Sequence, residues 1–209
     1  MKEKPTPLVE KSLSAEKNIT QAEAQRAIYI DFKGFTREAP ALVGVLIEER
    51  FQQVILDLKF RGAALYRDPI HVVPGRMFIS TLLALATAED RRIVAFSAHE
   101  KEQCSRWYEI DISQRYVNAK SIAAVWSRGV GSAVRCRTLK DFEVLSGYRR
   151  SRETGHLRNT TCLTVALRDL DAYGKLRNTD SKKHWTTLRR HNRQDVEAVR
   201  HIMLATFNA

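Results

Sequence analysis

Cysteine is scarce in this chain of 209 residues. Cys104, Cys136 and Cys162 are an odd number, lie far apart and form no Cys-x-x-Cys pair. That argues against a disulfide-stapled scaffold and against a cysteine-rich zinc module. Long apolar runs are missing too. The longest apolar-rich stretch, Met77 to Ala88, falls short of the ~20 residues a membrane-spanning helix needs. The opening segment, MKEKPTPLVEKSLSAEKN, holds no apolar stretch resembling a secretory signal, so a cytoplasmic protein without a membrane partner is the expectation. No Gly-x-x-x-x-Gly-Lys-Ser/Thr loop occurs, which sets aside an ordinary nucleotide-triphosphate switch. The glycines at 129 and 131 do not follow a strand and are a weak phosphate-loop signal. No internal repeat is visible.

What is present is the composition of a globular protein with a real core: 44% hydrophobic and 28% charged residues, in a length that favours one domain. The net charge of +11 is unevenly spread. Residues 1–100 contain 14 Lys/Arg against 13 Asp/Glu, whereas residues 101–209 contain 21 against 11. A basic half of this kind attracts polyanions, and nucleic acid is the expected partner, with a protein partner as the other possibility. Seven arginines, Arg128, Arg135, Arg137, Arg149, Arg150, Arg152 and Arg158, fall in two loop-like stretches around 127–137 and 147–158. Their forked guanidiniums suit phosphate oxygens, which makes them the candidate nucleic-acid contacts.

The order of elements narrows the fold. Residues 1–26 read as an N-terminal leader, partly disordered or helical, and 27–209 as a single domain. Ala27 to Phe32, Ala41 to Ile47 and Phe51 to Asp57 have strand texture and short connections, which fits an antiparallel meander because parallel neighbours need long crossovers. Gly75 to Glu89 carries a helical stripe leading into the apolar segment Arg92 to Ser97. This reads as a crossover placing a fourth strand parallel to the first. Helical spacing then holds over Ala98 to Tyr108, Val117 to Trp126, Thr138 to Leu145, Leu163 to Tyr173 and, most strongly, Trp185 to Phe207. The class is mixed α/β.

Three acidic residues sit where a packed fold would not place them idly. Asp31 ends an apolar strand, and a carboxylate there is costly to bury unless paired or metal-bound. Glu100 follows the fourth strand. Asp195 lies one helical turn after His191 and shares its face. Carboxylates meeting beside a sheet could hold divalent ions that activate water and stabilise a leaving phosphate oxygen, the chemistry of phosphodiester cleavage. Trp107, Trp126 and Trp185 at helical positions read as core more readily than as base-stacking platforms.

On these segments, Ile30-Asp31-Phe32-Lys33-Gly34-Phe35, Phe96-Ser-Ala-His-Glu100 and His191-Asn-Arg-Gln-Asp195, the sequence resembles the ribonuclease H-like superfamily. Within it the likeness is to DEDD-type 3′–5′ exonucleases, and to the YprB/RecB-family-associated nucleases among them. The resemblance spans roughly residues 27 to 206. It implies a ribonuclease H-like mixed sheet, three antiparallel strands plus parallel ones, with flanking helices and a long C-terminal helix. It implies Mg²⁺ or Mn²⁺ held by Asp31, Glu100 and Asp195, with His191 orienting or deprotonating the attacking water. One position departs from the pattern. The family's first strand carries Asp-x-Glu, and this chain has Lys33 in place of the glutamate, on the same side of the strand as Asp31. Two expectations follow: a divalent-metal-dependent nuclease of 3′–5′ exonuclease type, or a catalytically degenerate relative that binds nucleic acid or a protein, its site neutralised by Lys33.

Overall fold

Alternation along the first strand decides which side of the sheet each of its residues serves. The computed structural model describes residues 19–130, 136–151 and 158–208. Strand β1 (Ile28–Lys33) pairs antiparallel with β2 (Leu42–Ile47), which pairs antiparallel with β3 (Arg50–Ile55). On the far side of β1 lies β5 (Ile93–Ala95), parallel, followed by β6 (Tyr116–Asn118), also parallel. A two-residue strand β4 (His71–Val72) runs parallel beside β3, so the sheet order is β4-β3-β2-β1-β5-β6. The expected meander and crossover are both present. Helix α2 (Gly75–Ala88) is the crossover element into β5, and α3 (His99–Tyr108) follows β5.

Even-numbered residues of β1, Ile28, Ile30 and Phe32, join Val43, Val45 and Val54 in an apolar layer with Ile79 and Leu82 of α2 and Cys104 and Tyr108 of α3. Odd-numbered residues, Tyr29, Asp31 and Lys33, face the other way. That face is covered by α7 (Thr179–Ala205), a helix of 27 residues, with α4 (Ala119–Gly129), α5 (Leu139–Ser146) and α6 (Asn159–Tyr173) packed against it. Two apolar clusters lie beneath α7. Trp185 and Leu188 meet Leu42, Ile55 and α6 at one end, and Val196, Val199 and Met203 meet Tyr29, Leu46 and Val94 at the other. Trp185 is fully buried and stacks on Phe60 with ring centroids 5.9 Å apart. The stretch of α7 between the two clusters is polar.

At several boundaries the structure departs from the sequence expectation. Tyr116–Asn118 is a strand, not the start of a helix, and Asn118 then caps α4 by accepting from the Ser121 N–H. The strand β4 and a 3₁₀ helix over Leu58–Ala63 carry too little periodicity to be read from sequence. Helix α7 begins at Thr179, six residues before Trp185, and residues 179–184 are all polar, so no apolar stripe marks that start in the sequence. The described end of the leader forms α1 (Gln21–Arg26), started by a Thr20–Glu23 capping box. Ile19 and Ala24 are buried with the core, and the Tyr29 hydroxyl donates to the Ala24 carbonyl, so this segment is packed into the fold. Among the described residues no helix is long and apolar enough to cross a membrane.

Candidate functional site

The polar gap beneath α7 is filled by one connected set of charges. Lys33, the last residue of β1, is only 5% exposed and reaches back along its own strand face. Its Nζ lies 2.8 Å from Asp31 Oδ2 and 2.5 Å from Asp195 Oδ2. The two carboxylates thus share a single ammonium, well inside the span of about 8 Å that a pair of bridging ions and their ligands would cover. The other Asp195 oxygen, Oδ1, accepts from the Arg150 guanidinium at 2.5 Å. Arg150 in turn makes a forked contact with the buried Glu143, its Nε donating to Oε2 at 2.8 Å and its second arm to Oε1. Charge therefore alternates from Glu143 through Arg150, Asp195 and Lys33 to Asp31.

Neutral side chains finish the arrangement. Asn192 is fully buried, and its Nδ2 donates to the Asp31 carbonyl at 2.8 Å and to Asp31 Oδ2 at 2.7 Å. Its Oδ1 accepts from Gln53 Nε2 at 2.8 Å. Gln53 Oε1 accepts from Arg189 Nε at 2.9 Å. Close approach of α7 to the sheet at this point depends on Gly44, paired with Asp31 in the register. A Cβ at Gly44 would stand 2.5 Å from Asn192 Oδ1. Asn192, Gln53, Gly44 and Glu143 are not singled out by the sequence. A usable signal does exist for Asn192, which falls on the buried stripe of α7 between Leu188 and Val196 where an apolar residue is otherwise expected.

The electrostatics follow from burial and pairing. Burial disfavours the Lys33 ammonium, but the Asp31 and Asp195 carboxylates outweigh it and hold its pKa above the ordinary lysine value. Burial also works against the Asp195 carboxylate, and Lys33 and Arg150 together overcome it, so Asp195 titrates below its usual range. Asp31 lacks the second cation, and there desolvation prevails and raises it. Glu100, in the first turn of α3, is 6% exposed, and burial followed by the Asp31 charge pushes it up to about 8. It is therefore mostly protonated at neutral pH. Its Oε2 has no hydrogen-bond partner among the described residues.

Compared with known proteins, the chain matches no family model, no curated protein and no solved structure. Its chemistry has to be read from the site itself.

The donor set does not fit Mg²⁺ or Mn²⁺ as arranged. A hard divalent ion needs several free oxygen ligands. Here Asp31 Oδ2 is engaged by Lys33 and Asn192, and the two Asp195 oxygens by Lys33 and Arg150. An ammonium stands at the point the two carboxylates share, where its charge repels a dication. Among the described residues no group of three or more His, Cys, Asp or Glu side chains is arranged to hold a metal ion. His191 is half-buried on α7, one turn before Asp195.

Of the seven arginines expected on a phosphate-contacting surface, Arg150 is used inside this network instead, with its side chain 22% exposed. Arg128, at the end of α4, and Arg137, Arg149 and Arg158 are exposed. Arg135 and Arg152 lie outside the described residues.

Proposed function

We propose that this protein is a nuclease-like module of ribonuclease H type whose metal site is closed by an internal cation, and that it binds nucleic acid without cutting it. The carrying observation is the Lys33 ammonium held between Asp31 and Asp195. In a metal-dependent phosphodiesterase those carboxylates would present oxygens to ions, whereas here they are satisfied by the chain's own charges. The fold part of the reading is supported by the sheet order: three antiparallel strands, parallel strands on the far side of β1, and acidic residues on β1, α3 and the last helix. The binding part is supported by the net charge of +11 and by its concentration in residues 101–209.

The second reading is a metal-dependent 3′–5′ exonuclease using Asp31, Glu100 and Asp195, in which Lys33 would have to vacate the shared position. Favouring it is the buried Glu100 carboxyl, whose Oε2 has no protein partner among the described residues. Digestion of end-labelled DNA and RNA in Mg²⁺ or Mn²⁺, with Asp195→Asn as the blank, separates the two. Bound but unshortened strands, with native protein and blank alike, are the expected result. Metal-dependent shortening lost in Asp195→Asn would establish the exonuclease.

A further inference from the structure

A second polar feature lies on the same face of the sheet, beyond β2. Between β3, the loop leading to β4, and α7 there is a cleft of about 600 Å³, within the range that small-molecule sites occupy. Four arginines line it, Arg67, Arg189, Arg190 and Arg193, against a single acidic residue, Asp68. The excess of cations over acids in this lining favours a bound anion.

Three of the arginines are also positioned. Arg189 is half-buried, its Nε donating to Gln53 Oε1 at 2.9 Å and one arm to the Asp68 carbonyl at 3.1 Å. Arg193 lies over the Phe51 ring at 5.3 Å while its Nε donates to Glu197 at 2.7 Å. Arg67 lies over the Tyr66 ring at 5.5 Å. Its backbone has φ of 60°, in the left-handed region that costs a non-glycine residue about 1 kcal/mol. Guanidinium forks gathered at one cleft suit phosphate recognition.

We infer that this cleft between β3, β4 and α7 binds the phosphate of a nucleotide unit, anchored by Arg67, Arg189 and Arg190. The inference deepens the nucleic-acid-binding reading and rests on it for the source of the nucleotide. It moves the anchoring contact away from the arginines of the 127–158 region to the cleft beside α7.

The test uses the full chain and a fluorescent single strand of about 12 nucleotides, inside the site sizes that single-strand binders cover. Arg67→Glu/Arg190→Glu is compared with Arg128→Glu/Arg149→Glu. All four positions are exposed, and Arg67→Gln/Arg190→Gln is carried alongside as the milder variant, with thermal unfolding confirming that each protein folds. The cleft reversal should weaken strand affinity about tenfold or more and lower the slope of log affinity against log salt by about 1, for the one phosphate no longer neutralised. The comparison pair, itself drawn from the candidate contacts, should cost less affinity than the cleft reversal. Equal affinity for native and cleft-reversed protein, or a larger loss in the comparison pair, overturns the inference. If native protein binds no strand, titration with AMP and with inorganic phosphate decides. Binding of either that is lost in the cleft variants keeps the cleft and removes the strand as its source. Binding of neither removes the cleft.

Discussion

Without the Lys33 charge, Asp31 and Asp195 would face each other beneath α7 with one cation, Arg150, for three buried carboxylates, Glu143 included. Breaking one side of a buried ion pair leaves an uncompensated charge and costs about 3–5 kcal/mol, so Lys33→Met should lose that much in urea unfolding at pH 7. Much of the loss should vanish near pH 4, where the carboxylates can take up protons instead. Glu100 gives a prediction of the opposite sign. Its folded pKa of about 8 lies above the ordinary 4.5, so between these values the native state holds a proton that the unfolded chain has released. Stability attributable to this group is therefore full below about pH 4 and falls as pH rises toward 8. Glu100→Gln should be more stable than native protein by on the order of 1–3 kcal/mol at pH 8 and indistinguishable near pH 4, read from thermal or urea unfolding at both. The same difference at both pH values would show that the carboxyl is not held protonated. Asp31, Lys33 and Asp195 are legible as a group because strand alternation and helical period put them on facing surfaces. Asn192 is legible only as a polar break in the buried stripe of α7, and Gln53 not at all, since an amide advertises no partner until the register β1–β2–β3 and the seat of α7 are known. Arg150 reads as surface in the sequence because its neighbours there are arginines, while its partners, Glu143 and Asp195, come from two different helices.

At the level of elements, α7 does the positioning. Its apolar ends lock onto the sheet and hold the Asn192–Asp195 turn over Asp31 and Lys33. The fit has no slack at Gly44, where a methyl group would press on the Asn192 amide. Gly44→Ala should therefore destabilise the protein by about 1–3 kcal/mol, the usual cost of overpacking, despite alanine's better strand entropy. An unchanged unfolding midpoint would mean that α7 can lift off the sheet without loss. The elements themselves are largely legible: β1, β2, β3, β5 and all six expected helices lie where periodicity puts them, with ends shifted by a few residues and the start of α7 by six. The failures share a cause. Strand β6 has three residues, too few for a period, and runs straight into α4, so its Val117 merges with the helical pattern that follows. Strand β4 has two residues, and its identity comes from its neighbour β3.

The whole molecule joins a buried, nearly balanced charge network to a strongly basic exterior, and the two have different uses. The exterior should govern encounter with nucleic acid. Affinity for a single strand should fall steeply between about 50 and 200 mM salt, since each neutralised phosphate releases counterions, and equally for unrelated sequences. Flat affinity over that range would remove the polyanion reading. The sequence shows the net charge and its bias toward the second half, but not which arginines turn inward. On the proposed reading the interior governs whether bound nucleic acid is cut, with Lys33 as the deciding residue. The direct measurement is calorimetric titration of Mn²⁺ into native protein and Lys33→Glu, with the Mn²⁺ dependence of thermal unfolding read on both. Lys33→Glu exchanges an ammonium for a third carboxylate beside Asp31 and Asp195, and only a bound cation relieves the repulsion this creates. Native protein should bind Mn²⁺ weakly or undetectably, and Lys33→Glu at least about tenfold more tightly, with a matching rise in its unfolding temperature. Tight Mn²⁺ binding by the native protein, lost in Asp195→Asn, would contradict a site closed by Lys33.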